Sequence, residues 1–417
     1  MRKKSNNSTV LLVFGLISGI IFGFTMKLLP NNLYIDEMII NGLRRLLGTG
    51  FINLIKMTVI PLVFVSLICG ISSFGDTKKL GTIGVKTVMY FFISTVIAII
   101  IGVICAQIFK PGVGLNCEYE IINSVNSHDT KNIVDMILDI IPSNPVKSMS
   151  KGNLLQILVF AVFFGISLGN MGEKSRKILD IFEVLNESIM KIVMFVMKLA
   201  PIGVFSLISI TVYSTGTESL IGILKLIIVF LVALIMHVIL VYASMLKFIG
   251  KISVMKFFRR YAKVASVAFS TASSNAALPM SMQMMQDTGV QSSIYQFVLP
   301  IGSTVNMAGT AILQGLTTVF IAQAYNINLS FQAIITVVVS AVLASVGTAG
   351  IPGVGMVMMA MVLESVGLPV QGIGLVLGVD RILDMMRTTV NVMGDCVTCA
   401  VVAKTENMID LKKFENI

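Results

Sequence analysis

The sequence predicts an all-α integral membrane protein with eight transmembrane helices and two re-entrant helical hairpins. Hydrophobic residues make up 55% of the 417 positions and charged residues only 12%, whereas a soluble domain carries about 25% charged residues. Eight apolar stretches are long enough to span the hydrocarbon core of a bilayer. Two further apolar stretches are each interrupted in the middle by small and polar residues.

The eight predicted spans each contain about 20 or more residues, enough to cross about 30 Å of hydrocarbon. They cover residues 9–29, 51–74, 86–109, 153–171, 187–213, 219–247, 294–323 and 371–403. The first span follows a basic N-terminus and so resembles a signal peptide. Its apolar run lacks a small-residue cleavage site, and we therefore interpret it as a transmembrane helix.

The two interrupted stretches cover residues 254–288 and 331–367. Residues 273–279, Ser-Ser-Asn-Ala-Ala-Leu-Pro, break the first, and residues 347–355, Gly-Thr-Ala-Gly-Ile-Pro-Gly-Val-Gly, break the second. Glycine and proline interrupt helices, and serine side chains compete for backbone hydrogen bonds. Each half is about half a membrane long, which favours a re-entrant hairpin over the alternative of a packing kink.

Loop charges predict the orientation of the spans. The net charge is +10, which in a soluble protein would raise nucleic acid as a partner. Here the basic residues lie in the N-terminus, in the loops after spans 2, 4 and 6, and in the tail, while loop 110–151 is acidic. The positive-inside rule then places both termini in the cytoplasm. One hairpin then enters from each side. The alternation would also hold if both interrupted stretches crossed the membrane, with span 7 inverted between them.

The ionisable side chains of Asp384, Arg387 and Asp395 lie inside the last span. A charge at bilayer depth costs several kcal/mol without a partner or water, so such residues mark a substrate or ion path. Asp384 and Arg387 are three residues apart and share a helix face. They suit a small zwitterion with an extra carboxylate; the alternative is a mutual structural ion pair.

A short repeat supports two related hairpin-plus-helix units. Residues 306–310 read Asn-Met-Ala-Gly-Thr and residues 391–395 read Asn-Val-Met-Gly-Asp, each in the helix that follows an interrupted stretch. Units that enter from opposite sides form an inverted repeat, which is typical of secondary transporters with a binding site near the midplane. We expect the first repeat to unwind its helix at Gly309, which would free backbone groups for a ligand or cation.

Four ordered motifs, in residues 269–279, 306–310, 345–355 and 384–395, resemble those of the dicarboxylate/amino acid:cation symporter family. The resemblance covers essentially the whole chain and implies the elevator-type glutamate transporter fold, assembled as a homotrimer. It assigns 1–74 (helices 1 and 2) and 113–218 (extracellular loop, helices 4 and 5) to a scaffold. It assigns 75–112 (helix 3) and 219–403 (helices 6 to 8 with both hairpins) to a moving transport domain, and 404–417 to a cytoplasmic tail.

The same resemblance implies the site residues. Asp384 binds a substrate amino group, Arg387 a side-chain carboxylate, and Asn391 an α-carboxylate together with the hairpin serines. The full implied substrate set is Ser273, Ser274, Thr310, Ile351, Gly355, Asp384, Arg387, Thr388 and Asn391. The first implied sodium site uses Gly302, Asn306, Asn391 and Asp395, the second uses Thr304, Met307, Ser345, Val346 and Thr348, and the third uses Ser94, Thr95 and Asn306.

Two positions depart from the family pattern. The third sodium site uses a carboxylate at the position of Ala308, and the loss of that charge should weaken cation binding there. Many prokaryotic members have an arginine at the position of Ala272, whereas animal members place it next to the helix 8 arginine. This chain has neither, which leaves Asp384 and Asp395 less compensated and makes participation of protons plausible.

The predicted function is symport of glutamate or aspartate across the cell membrane, coupled to Na+ and/or H+. Alternatives within the family are a neutral amino acid, disfavoured by Arg387, and a C4-dicarboxylate, disfavoured by Asp384. Other classes are a channel, a receptor or an enzyme; the sequence suggests no catalytic residues and no cofactor besides the coupling ion. Cys396 and Cys399 form a CxxC without a second pair or nearby histidine, so packing is favoured over metal binding.

Overall fold

The computed structural model describes residues 2–29, 41–72, 81–115, 117, 141–215, 217–346, 354–410 and 413. Within these residues the protein is helical and contains no strand, apart from an isolated β-bridge between Val290 and Ile409. The prediction of an all-α fold is therefore confirmed. Most of the predicted acidic loop, and the tip of the second interrupted stretch at 347–353, lie outside the described residues.

Sixteen helices follow one another along the described chain. The first eight are α1 (Arg2–Leu28), α2 (Gly50–Ser72), α3 (Thr82–Phe109), α4 (Pro145–Lys151), α5 (Leu154–Asn170), α6 (Arg176–Lys198), α7 (Ala200–Thr215) and α8 (Thr217–His237). The second eight are α9 (Val254–Thr271), α10 (Ser274–Asp287), α11 (Ser292–Val305), α12 (Ala308–Ala324), α13 (Phe331–Val346), α14 (Val354–Ser365), α15 (Gly374–Leu377) and α16 (Asp380–Thr405). Asn41–Leu43 and a π-helical turn at Arg44–Thr49 lead into α2, and π-helical turns at Val238–Ala243 and Met245–Ile249 extend α8.

Four segments of the described chain are long and apolar enough to cross a membrane. They are Arg45–Ser72, Thr82–Phe109, Leu220–Ile249 and Ser292–Ala324. The bent pair Gly172–Lys198 and Ala200–Tyr213 makes a fifth if it forms one span. These segments establish a multi-pass membrane protein, whereas the count of eight spans stays a prediction.

Three predicted spans are not single helices; one of them, 294–323, is divided between α11 and α12. The stretch 187–213 is divided between α6 and α7, which meet at Leu199 with a bend of 50°. Pro201 explains the bend, because proline lacks an N–H and its ring clashes with the carbonyl four residues earlier. The stretch 371–403 begins with a 3-10 turn and the short α15, and the chain breaks at Gly378 and Val379 before α16 begins.

The first interrupted stretch forms two helices that pack against each other, α9 and α10. Ala272 adopts a left-handed conformation between them (φ 48°). Ser273 then caps α10, and its hydroxyl accepts a hydrogen bond from the Ala276 N–H (3.3 Å). The break therefore falls at Ala272 and Ser273, and Pro279 lies within α10. The second interrupted stretch likewise gives a packed pair, α13 and α14.

Glycines allow close approach of helices in two places. Gly15, Gly19 and Gly23 on α1 lie against backbone carbonyls of α7, and a Cβ at each would collide with α7. Gly102 on α3 lies in the same way against the Ile312 carbonyl on α12. Spacing of small residues by four lets membrane helices pack closely. One group of packed helices is α1, α2, α5, α6 and α7, and a second comprises α3 and α8 to α16. The groups meet where α2 contacts α13 and α14 and where α7 contacts α8 and α15.

The segment after α16 returns to the turn between α10 and α11. The Asp410 N–H donates to the Gly289 carbonyl (2.9 Å), and the Gln291 N–H donates to the Met408 carbonyl (3.0 Å). Glu406 pairs with Lys86 at the start of α3 (2.5 Å). The C-terminal segment therefore ties together the ends of three helices of the second group.

Candidate functional site

Arg387 lies at the centre of a buried ionic group on α16. Its Nε and Nη2 both donate to Asp384 Oδ1, at 2.9 and 2.8 Å. Its Nη2 also lies 3.7 Å from Asp380 Oδ1. The arginine side chain is only 3% exposed, so a single cation is buried between two carboxylates.

The sequence analysis did not single out Asp380. Asp380, Asp384 and Arg387 are spaced at four and three residues along α16, which places all three on one face. That spacing was visible in the sequence. The predicted common face of Asp384 and Arg387 is observed. The two groups also contact each other directly, which is the ion pair that the sequence analysis gave as the alternative to substrate binding.

The Nη1 atom of Arg387 differs from the other two guanidinium nitrogens, which both face carboxylates. Nη1 is buried and has no hydrogen-bond partner among the described residues. The guanidinium lies against Gly355 in the first turn of α14, where an added Cβ would collide with it. The Nη1 donor therefore belongs to an arginine that lies next to Gly355, at the start of the second helix of the second hairpin pair.

Asn391 connects α16 to the start of α12. Its Oδ1 accepts from the Gly309 N–H (2.7 Å), and its Nδ2 donates to Thr310 Oγ1 (3.3 Å). The predicted unwinding at Gly309 is wrong in detail, because α11 and α12 separate at Asn306 and Met307 and Gly309 lies in the first turn of α12. The first N–H groups of a helix have no partner within it, and here Asn391 supplies one.

Asp395 is the centre of a second polar group, one helical turn beyond Asn391. Asn306 Nδ2 donates to Asp395 Oδ1 (2.8 Å) and to the Asn391 carbonyl (3.1 Å). The Asp395 carboxylate also packs on Gly302, where a Cβ would collide with it. The Asn306 Oδ1 is buried with no hydrogen-bond partner among the described residues. The four residues of the first implied sodium site thus lie together.

The second implied sodium set is only partly visible. Met307 Sδ accepts a hydrogen bond from Asn391 Nδ2 (3.3 Å), which places Met307 beside the first group. Thr304 is exposed, and its hydroxyl donates to the Ile301 carbonyl of its own helix (3.0 Å). Ser345 and Val346 end α13, but their side chains, like Thr348 and Ile351, lie outside the described residues.

A histidine that the sequence analysis did not predict lies next to the third implied sodium set. Ser94 on α3 lies 3.2 Å from the Nε2 atom of His237 on α8, and both side chains are buried. Thr95 and Ala308 are also buried. The Ser94 hydroxyl is therefore engaged by an imidazole in a region where Ala308 offers no carboxylate. The sequence could have identified His237, because it lies in the middle of an otherwise apolar predicted span.

The serines of the first hairpin pair lie at the start of α10. The Ser273 hydroxyl caps that helix, and Ser274 is buried in its first turn. Helices α9 and α10 both pack against α16, and the Tyr261 hydroxyl of α9 donates to the Thr389 carbonyl of α16 (2.6 Å). Thr388 is buried on α16 next to Arg387 in the chain.

Broken helices that surround buried charges inside a multi-pass membrane protein define the class of secondary transporters. A model of the sodium:dicarboxylate symporter family matches residues 9–405. The chain belongs to this family, as the four motifs had indicated.

Three curated relatives have nearly the same length as this chain. The chain is 36% identical over 409 residues to the proton/sodium-glutamate symport protein of Geobacillus stearothermophilus, covering 96% of this chain and 94% of the relative. It is 36% identical over 412 residues to the proton/glutamate-aspartate symporter of Escherichia coli K12, covering 96% and 93%. It is 35% identical over 411 residues to the proton/sodium-glutamate symport protein of Bacillus subtilis 168, covering 97% and 96%.

Proposed function

We propose that this chain is a secondary active symporter that imports glutamate or aspartate, coupled to Na+ and/or H+. The single observation that carries the proposal is the Arg387 guanidinium, held between Asp380 and Asp384, with an Nη1 donor that has no hydrogen-bond partner among the described residues. The names of the full-length relatives support the same substrate class.

An acidic amino acid matches both halves of this ion pair. Its ammonium can replace the arginine at Asp384, and its side-chain carboxylate can take the bidentate fork of Arg387. Removing one partner of a buried pair leaves an uncompensated charge, whereas exchanging each partner for a matching cargo group does not. A neutral amino acid would satisfy only Asp384, and a C4-dicarboxylate would satisfy only Arg387.

The remaining substrate groups are proposed from their positions. Asn391 and Thr310 already exchange a hydrogen bond at the start of α12. The Nδ2 atom of Asn391 and the hydroxyls of Ser273 and Ser274 are donors suited to an α-carboxylate. Thr388, Gly355 and Ile351 complete the proposed pocket, with Ile351 in the segment outside the described residues.

Asp395 is the proposed centre of ion coupling. Its carboxylate is buried, accepts from Asn306, and forms no ion pair with any described residue. A buried carboxylate without a cation is costly, so a sodium ion or a proton is the fitting compensation. Carboxylate, amide and carbonyl oxygens at Gly302, Asn306, Asn391 and Asp395 form a donor set for a hard cation.

The architecture is proposed to match that of the family. The two groups of packed helices correspond to the expected scaffold and transport domain, and the pairs α9–α10 and α13–α14 correspond to the two re-entrant hairpins. We propose a homotrimer in which the transport domain moves as an elevator, with both termini in the cytoplasm.

Uptake into liposomes tests the function. Labelled aspartate, glutamate, serine and succinate are offered under separately imposed sodium and proton gradients. The proposal expects concentrative uptake of an acidic amino acid that collapses with the coupling gradient. Preference for serine or succinate would support the neutral amino acid or C4-dicarboxylate alternative, and purely downhill flux would support a channel.

A further inference from the structure

A groove of about 290 Å³ lies between α9 and α10, on the surface of the first hairpin pair. Its lining has basic residues on one side and methionines on the other. The lining residues that matter here are Arg259, Arg260, Lys263, Met280, Met284 and Asp287. None of them belongs to the substrate or sodium groups described above.

Helix α9 carries a group of basic residues on its exposed side, beside the exposed Met255. Lys256, Arg259, Arg260 and Lys263 follow the spacing of one helix face, and Arg259 and Lys263 are exposed. The buried residues of α9 are Phe257, Tyr261, Val264 and Ala268. An amphipathic helix with a basic face at the edge of a membrane domain is a favourable surface for anionic headgroups.

The groove keeps a net positive charge, because its lining has three basic residues and one carboxylate, Asp287. Arg259 and Lys263 form no ion pair with any described residue. The carboxylate of Asp287, on the far side, accepts from Gln283 Nε2 (2.9 Å). Arg260 is used differently, because its Nη2 donates to the Lys413 carbonyl (3.1 Å). Arg259 and Lys263 are therefore the cations that a bound anion would meet.

The apolar part of the groove distinguishes a lipid from a free anion. Met280 is 40% exposed beside the basic residues, and Met284 beneath it is buried. Flexible thioether side chains adapt to irregular apolar surfaces such as acyl chains. An inorganic phosphate would use the two cations but would gain nothing from the methionines, whereas a phospholipid uses both.

We propose that this groove binds an anionic phospholipid, with the headgroup phosphate at Arg259 and Lys263 and an acyl chain along Met280. The site lies on the first hairpin pair, so lipid binding acts on the element that supplies Ser273 and Ser274. The binding itself does not depend on which solute the protein carries.

The absence of tryptophan from the sequence allows a direct test. The variant Met280→Trp places the only indole of the protein in the groove. In nanodiscs of phosphatidylcholine we expect brominated phosphatidylglycerol to quench its fluorescence more strongly than brominated phosphatidylcholine at the same mole fraction. Adding Arg259→Gln and Lys263→Gln should reduce the selectivity about fivefold for each charge removed, since a basic residue near an anionic surface contributes about 1 kcal/mol.

The matched control is Lys174→Gln with Lys177→Gln, which removes the same charge from exposed positions of another segment. It should keep the full selectivity. Equal quenching by both lipids in the Met280→Trp protein, or equal loss in the groove and control pairs, would overturn the proposal. Loss of selectivity on adding inorganic phosphate at constant ionic strength would instead assign the groove to a free anion.

A second readout avoids the tryptophan substitution. The parent and the two charge-removal pairs are extracted from bilayers that contain phosphatidylglycerol, and retained lipid is counted by native mass spectrometry. Retention should fall for Arg259→Gln with Lys263→Gln and persist for the control pair. Unchanged retention in the groove pair would contradict the proposal even if the indole variant failed to fold.

Discussion

The two units that carry the Asn-x-x-Gly repeat use it in different ways. In the first unit the chain unwinds at Asn306 and Met307 between α11 and α12. In the second unit Asn391 stays within the continuous helix α16. Nevertheless, each asparagine reaches the backbone of the other segment, because Asn306 donates to the Asn391 carbonyl and Asn391 accepts from the Gly309 N–H.

The units also differ in the charge that they bring to the buried site. The basic residues of the first unit lie in the groove between α9 and α10, so at the buried site the first unit is neutral and the second is charged. Asp380, Asp384, Arg387 and Asp395 all lie in the second unit, on α16. The first unit contributes the amide of Asn306, the hydroxyl of Thr310 and backbone groups freed by the break. The difference shows a division of labour, in which one repeat holds the charges and the other supplies neutral groups that orient them.

The largest expected effect comes from removing the cation of the charged unit. Arg387→Ala leaves Asp380 and Asp384 facing each other in a buried site, and breaking a buried pair costs about 3–5 kcal/mol. We expect uptake of acidic amino acids to fall at least about 100-fold, with some neutral amino acid uptake retained. Initial rates of competing labelled substrates measure the change. Arg381→Ala, the next arginine on α16, is the control, and persistence of glutamate uptake in Arg387→Ala would refute the role of Arg387.

The neutral unit is tested by removing its amide. Asn306→Ala takes away the hydrogen-bond donor of the buried Asp395, and a hydrogen bond to a charged group contributes about 1.5–3 kcal/mol. The sodium concentration for half-maximal uptake should rise roughly 10- to 100-fold. Ser303→Ala, whose hydroxyl bonds only within its own helix, should leave it unchanged. Equal effects of the two substitutions would contradict the role of Asn306.

Adding a charge to the neutral unit should make it resemble the charged one. Ala308 is fully buried, so Ala308→Asp places a carboxylate where a cation is needed to offset it. Without sodium the variant should lose about 2 kcal/mol of stability, and sodium should recover it more than it stabilises the parent. Thermal unfolding in sodium and choline salts measures this, with the neutral Ala308→Asn as the control.

Stoichiometry gives a further check on the same position. The parent should couple fewer than three sodium ions to each substrate, because Ser94 is engaged by His237 and Ala308 provides no charge. Reversal potentials of uptake in liposomes determine the ratio. Three tightly coupled sodium ions in the parent would show that the loss of the carboxylate has been compensated by another group.

The smallest effect is expected at the outer carboxylate of the charged unit. Asp380 lies 3.7 Å from Arg387 Nη2, too far for a hydrogen bond. Asp380→Asn should therefore weaken substrate binding only about threefold, because the longer separation weakens the attraction to the guanidinium and the amide keeps the shape of the side chain. Competition binding measures it against Asp384→Asn, which should weaken binding far more. Comparable losses at the two positions would show that Asp380 contacts the cargo itself.

The sequence revealed the charged unit better than the neutral one. Asp384, Arg387 and Asp395 were conspicuous because charged residues are rare in apolar spans, and their helical spacing indicated a common face. Asp380 had the same helical spacing within the same predicted span, so the sequence alone could have identified it. The partners of Asn306 and His237 come from segments far apart in the chain, and only the folded protein brings them together.

The sequence indicated the breaks between helices only approximately. Pro201 gave such a signal for the bend at Leu199, yet the apolar run around it suggested one span. The break at Ala272 fell just before the serines that predicted it, because Ser273 acts as the cap of the next helix. The exact place of unwinding near Asn306 depended on the contact with Asn391, which no local pattern contains.

The self-contained pairing of Arg387 has a consequence for the empty protein. A symporter must change the side from which its site is accessible without bound substrate, and an unpaired buried cation would make that step costly. Because Asp384 lies one turn away on the same helix and accepts a hydrogen bond from the guanidinium, Arg387 keeps its counter-ion when no substrate is bound. The protein thus supplies its own counter-ion for the step that it makes without substrate.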